Sequence, residues 1–262
     1  MPMDRRMFLA GVTALAGGGH AHGLAAAQPL STSSQYRSAI GAIAFDGFPI
    51  IDPTPIGTRA ERMFPGKGGA LLNAWRTRQF EYTWLRTLGG AYADFWQVTG
   101  EALVFAANSL GLSLADAERD TLMQTYLELK AWDDVRPALE LLKKAGIRMA
   151  FLSNFTAAML DAATRNSGLQ GFFEEHLSTD RVHAFKPDRR AYQMGVEAFG
   201  QPRERIVFCA AAGWDVAGAK WFGYPTFWVN RARQPGEELG PRADGEGTGM
   251  ADLVRFVHAN AG

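Results

Sequence analysis

The feature that most constrains this chain is a set of short apolar runs that lead into polar residues and alternate with stretches of helical spacing. Ala42–Phe45 ends at Asp46, residues 148–152 end at Ser153 and Asn154, Ile206–Ala210 leads through an alanine triplet to Asp215, and Thr226–Val229 is a further run of the same kind. Such short, almost wholly apolar runs suit strands buried on both faces of a parallel sheet. Helical spacing over 134–145, 157–167, 189–199, 214–222 and 250–259 supplies the crossovers, which predicts an α/β class with a Rossmann-like parallel sheet core. One stretch breaks the alternation. Residues 70–88, 97–110 and 115–129 have helical spacing with no strand signal between them, and they predict an all-helical cap inserted into the core. The expected division is 36–56 with 131–262 for the core and 57–130 for the cap, a size that 262 residues support. Residues 234–249, rich in Gly, Pro and Glu, are expected to form an exposed loop.

The N-terminus is set apart. Arg5 and Arg6 precede a mildly apolar Gly/Ala-rich stretch that ends in Ala25-Ala26-Ala27. This order predicts an export signal of the twin-arginine kind over residues 1–27 and hence a periplasmic protein. The apolar stretch is too short and too broken by glycine to span a bilayer, so no membrane association is expected once the signal is removed. Lys plus Arg equals Asp plus Glu at 27 each, and that balance leaves no electrostatic footprint for nucleic acid. The expected partner is a small molecule. Cys209 is the single cysteine, sits in an apolar run and is read as a buried structural thiol.

Ligands of parallel sheets bind at the carboxyl ends of the strands. The polar residues there are Asp46, Ser153 with Asn154, Lys186 in the loop around Pro187, and Asp215. An Asp after a strand is by itself more often a helix cap or turn former. Together with a lysine across the same sheet edge, it becomes a candidate nucleophile, kept ionised and aimed by the ammonium.

This order and spacing resemble the haloacid dehalogenase-like hydrolase superfamily, and within it the type II (S)-2-haloacid dehalogenases. The most specific segment is Trp75-Arg76-Thr77-Arg78-Gln79-Phe80-Glu81-Tyr82-Thr83-Trp84-Leu85-Arg86, which looks like their first cap helix; Leu152-Ser153-Asn154, the run from Lys186-Pro187-Asp188 to Tyr192, and the run from Gly213-Trp214-Asp215 to Ala219 support it. The resemblance implies that Asp46 is the nucleophile and that Arg76 and Asn154 cradle the departing halide. Ser153 and Lys186 would bind the substrate carboxylate or steady Asp46, and Tyr192 would support Lys186. Phe48, Phe95 and Trp214 would wall the pocket, and Asp215 would activate water. It implies a 2-haloacid substrate, no cofactor and no metal; apolar cap faces suggest a homodimer. The chain departs from the pattern in two places. The loop after Asp46 is one residue shorter and lacks a threonine, and Ala210 and Ala212 stand where the family carries serine and asparagine.

The superfamily's phosphatase chemistry makes different demands. It needs a carboxylate two residues after the nucleophile to protonate the leaving group, and that position is Phe48. It needs oxygen ligands for magnesium near the last strand, where Ala210-Ala211-Ala212 supply no side-chain donor. A halide leaves without a proton, and a dry aromatic pocket favours its displacement by a carboxylate. Three expectations stand: a 2-haloacid dehalogenase, a related hydrolase or phosphatase acting on another small substrate, and a non-catalytic binding protein of the same fold.

Overall fold

The structure, a computed structural model, describes residues 40–260; the proposed export signal lies outside the described residues. In chain order the elements are β1 (Ala42–Phe45), α1 (Gly47–Ile50), α2 (Thr54–Met63), α3 (Gly68–Leu88), α4 (Phe95–Ser109), α5 (Asp116–Glu128), α6 (Val135–Lys144), β2 (Arg148–Ser153), α7 (Ala157–Asn166), β3 (His176–Ser178), α8 (Arg189–Phe199), β4 (Ile206–Ala210), α9 (Gly213–Phe222), β5 (Thr226–Val229), β6 (Gly245–Gly247) and α10 (Met250–Asn260). The strands form one six-stranded sheet in the order β3-β2-β1-β4-β5-β6. Every pairing is parallel. The chain starts at the centre, builds one half as β2 and β3, then returns past β1 to build the other half. Residues after β1 therefore lie at the point where the strand order reverses, the place where such sheets bind ligands.

The central strands β1 and β4 are buried along their whole length. Their side chains alternate between two apolar layers. Ile43, Phe45, Val207 and Cys209 face one cluster; Ala42, Ala44, Ile206, Phe208 and Ala210 face the other. Cys209 is fully buried, and burial pushes its thiol well above the usual range. Caps fix the helices nearest the sheet edge. Thr156 starts α7 by accepting from Met159 N, Asp188 starts α8 by accepting from Arg190 N, and Gly200 in the left-handed region ends it.

Between β1 and β2 the chain runs through α2 to α5, where the spacing predicts three helices and α2 is additional. The first apolar cluster runs without a break from Phe45 through Phe155 into Trp75, Phe95 and Tyr126 of the insertion. The expected loop at 234–249 is corrected at its end, where β6 pairs with β5 as a parallel edge strand. It carries no strand signal because two of its three residues are glycines. They are required by contact: a side chain on Gly245 would meet the Phe256 ring, and one on Gly247 would meet Asp252.

Candidate active site

Asp46 follows β1 and is still held by the sheet, its backbone N–H donating to Cys209 O at 2.9 Å. Its side chain is also the cap of α1, Oδ2 accepting from Phe48 N at 3.3 Å. Oδ1 faces the other way and accepts from Lys186 Nζ at 2.8 Å and from Ser153 Oγ at 3.5 Å. Cap and candidate nucleophile are thus one carboxylate, with a different set of donors on each oxygen.

Lys186 arrives from the loop before α8 and is 1% exposed. Its ammonium lies between two carboxylates, donating to Asp46 Oδ1 and to Asp215 Oδ2 at 2.5 Å. Burial acts to lower its pKa, but the charges of Asp215 and Asp46 outweigh burial and raise it, so it stays charged. Asp215, in the first turn of α9, is equally buried, and Tyr192 donates to its Oδ1 at 2.7 Å. Burial and the nearby Asp46 charge push the Asp215 carboxyl up to about 6 against the pull of Lys186 and Tyr192. Burial, followed by the Asp215 charge, pushes the Tyr192 hydroxyl well above its usual range.

A cavity of about 390 Å³ opens on Asp46. Of the residues singled out from the sequence, Asp46, Phe48, Arg76, Phe95, Ser153, Asn154, Lys186 and Trp214 line it. Asp215 and Tyr192 do not. Tyr192 bonds to Asp215 rather than to Lys186, so these two residues sit behind the wall and reach the cavity through Lys186. Phe80 lines the cavity, whereas Trp84 packs edge-on against Trp214 outside it.

Arg76 projects from α3 beside Trp75, whose indole N–H donates to Thr99 O and anchors the helix on α4. Its guanidinium lies 5.8 Å from the Phe48 ring centroid. Among the described residues it makes no salt bridge, which leaves its charge available to an anion in the cavity. Asn154 Oδ1 accepts from Lys186 N at 3.1 Å, so its amide end remains for a ligand.

Pro53, Trp132, Phe155, Asn230, Arg231 and Gln234 also line the cavity and were not singled out from the sequence. Asn230 and Arg231 directly follow β5, so the strand-end rule applied to the last run would have found them. Trp132 follows the insertion at no strand end and carried no such signal.

The haloacid dehalogenase-like hydrolase model matches residues 31–223. The chain is 38% identical over 224 residues to (S)-2-haloacid dehalogenase of Pseudomonas sp. (strain YL), covering 85% of this chain and 97% of that relative. It is 40% identical over 219 residues to haloacetate dehalogenase H-2 of Moraxella sp. (strain B), covering 83% and 98%. Its fold is similar to a structure of L-2-haloacid dehalogenase from Xanthobacter autotrophicus with chloropropionic acid covalently bound, at a TM-score of 0.76 and 32% identity, covering 84% of this chain and 98% of that one. With its Asp46–Lys186–Asp215 array at the switch point of a parallel sheet, the chain belongs to the haloacid dehalogenase-like hydrolase family.

Proposed function

We propose that the protein hydrolyses short (S)-2-haloacids to 2-hydroxyacids through a covalent ester on Asp46. The observation that carries this reading is the asymmetry of Asp46: Lys186 and Ser153 hold Oδ1, while Oδ2 has a single backbone donor and belongs to a residue that lines an aromatic cavity. Oδ2 attacks the halogen-bearing α-carbon, inverting it, and the carbon–halogen bond electrons leave with the halide. Arg76 and the Asn154 amide meet the departing charge. Phe48, Phe80, Phe95 and Trp214 keep the site dry, which strengthens those interactions. Helices α2 to α5 act as the cap that closes over the substrate.

In the second step water attacks the Asp46 carboxyl carbon. Lys186 and Ser153 stabilise the oxyanion on Oδ1, and the carboxyl carbon–oxygen bond to the substrate breaks to release the hydroxyacid. Asp215 acts through Lys186: the ammonium passes a proton to Asp215 as it takes one from the attacking water, the same path returns that proton to the leaving alkoxide, and the second proton of the water passes to solvent as Asp46 regains its carboxylate. Arg5-Arg6 and the Ala25-Ala26-Ala27 run support an export signal over residues 1–27 and a periplasmic setting, and Leu85 and Leu88, exposed at the end of α3, support pairing of two copies through the cap.

The test is halide release from (S)-2-chloropropionate without added magnesium, with (R)-lactate as product. Asp46→Asn is expected to abolish it, and rapid quenching of the wild type is expected to yield an ester on the Asp46 peptide. Recovery of only unmodified protein with every haloacid tried would defeat the reading.

A further inference from the structure

Asp46 is aimed by a turn that is too short to hold itself. The helix α1 is four residues long and is closed at its end by Ile51 N donating to Gly47 O at 2.8 Å. An isolated turn of this length has no intrinsic stability in water. Its remaining carbonyls are each met by a donor from elsewhere in the fold. Trp132 Nε1 donates to Phe48 O at 3.2 Å, Arg231 Nη2 to Pro49 O at 3.3 Å, and Trp132 N to Ile50 O at 3.0 Å.

The two donors brace each other. The Arg231 guanidinium lies 4.7 Å from the Trp132 ring centroid, and Asp134 grips it at two points, 3.0 and 2.7 Å. Asp134 in turn accepts from Met250 N at the start of α10. Burial acts to raise the Asp134 pKa, but the hydrogen bonds from Arg231 and Met250 outweigh it and lower it, so the bracket stays charged. Phe48 is thereby held from both sides, its N–H on Asp46 Oδ2 and its carbonyl on Trp132.

We propose that Trp132 and Arg231 are positioning residues that aim Asp46 Oδ2 for displacement, acting through the three carbonyls of the α1 turn. This rests on the dehalogenase reading. The half-reaction concerned forms the Oδ2–carbon bond and breaks the carbon–halogen bond, with the electron pair leaving on the halide. In-line displacement is sensitive to misplacement of the attacking atom by an ångström or less. Ester hydrolysis is less exposed, because its oxyanion forms on Oδ1, which Lys186 and Ser153 hold from outside the turn. The bracket therefore acts on the first step.

The experiment follows both steps in the full chain with (S)-2-chloropropionate, reading the halide burst by rapid quench and the decay of the Asp46 ester by mass spectrometry. Trp132→Phe keeps a ring beneath Arg231 and removes the N–H; Arg231→Lys keeps a charge opposite Asp134 and removes the planar fork. Each is expected to slow the burst about tenfold or more, with ester decay changed by less than about twofold and a melting midpoint well above the assay temperature. A normal burst in folded Trp132→Phe and Arg231→Lys protein would overturn the proposal. Equal slowing of burst and decay would also overturn it, since that marks a general disturbance of the site. If one variant does not fold, the other decides, because each loosens a different carbonyl of the same turn. A wild-type protein that gives neither halide nor ester would instead defeat the dehalogenase reading itself.

Discussion

Lys186 is the residue on which the electrostatics of the site depend. It is the only cation that bridges Asp46 and Asp215 among the described residues, and both it and Asp215 are 1% exposed. Breaking such a pair from one side costs more than the pair contributes, because the partner charges remain buried. Lys186→Met is therefore expected to destabilise the protein by about 3–5 kcal/mol at neutral pH, measured by urea unfolding. The deficit should shrink as the pH falls and the stranded carboxylates take up protons. Catalysis should move the other way. With its pKa raised to about 6, Asp215 is protonated below that value and cannot take a proton from Lys186. Ester decay is expected to lose about tenfold for each pH unit below about 6, an acid limb to be read by following the trapped ester across pH. The corresponding stability contribution has the opposite sign. A carboxyl whose folded pKa exceeds its ordinary value of 3.8 binds its proton more tightly in the native state, so its favourable contribution fades as the pH rises through about 6.

At the scale of elements, what the sequence makes legible is what burial writes into it. β1, β4 and β5 begin and end where their apolar runs do, since these strands are enclosed on both faces and tolerate little else. The long cap helices appear with ends shifted by a residue or two, as fraying ends do. The two strands that carry no such run are short and held from outside. β3 has three residues, is paired to β2 by backbone hydrogen bonds, and begins with a histidine that bonds to Asp161. β6 is an edge strand whose composition answers to the bulk of Phe256 and Asp252 rather than to strand propensity. The same division holds in the site. Asp46, Ser153 and Asn154 follow legible strands, and Lys186 carries a charge whose burial needs a reason. Trp132 serves Asp46 through a backbone carbonyl 84 positions away in sequence, and no local pattern encodes such a contact. Tyr192 was legible as a site residue, but its partner depends on how α8 lies on α9. Gly218 permits that approach, for a side chain there would meet the Tyr192 hydroxyl and Pro187.

Across the whole molecule, the expected separation of core and cap bears on how the site is assembled, since Arg76, Phe80 and Phe95 come from the insertion and Asp46, Lys186 and Asp215 from the sheet side. Phe155, two residues beyond β2 and 2% exposed, stands at the junction. Its ring meets Phe48 edge-on at 5.2 Å, Phe95 at 5.5 Å and Tyr126 at 6.2 Å, touching the nucleophile turn and two cap helices at once. Further along the same junction Phe185 N donates to Thr87 Oγ1, and the Tyr92 ring stacks on Phe185, the residue before Lys186. A cap tied on through such contacts has no apolar layer of its own to fall back on, because its inward residues belong to the same cluster as β1. Phe155→Ala is expected to cost about 3–5 kcal/mol. The loss should appear as a single shifted transition, with amides of α3 and α4 losing hydrogen-exchange protection at the same denaturant concentration as those of β1 and β4. Were the cap amides to exchange first while the sheet stayed protected, the insertion would be a separate folding unit, and Arg76 would reach the site by docking rather than by being built into a common core.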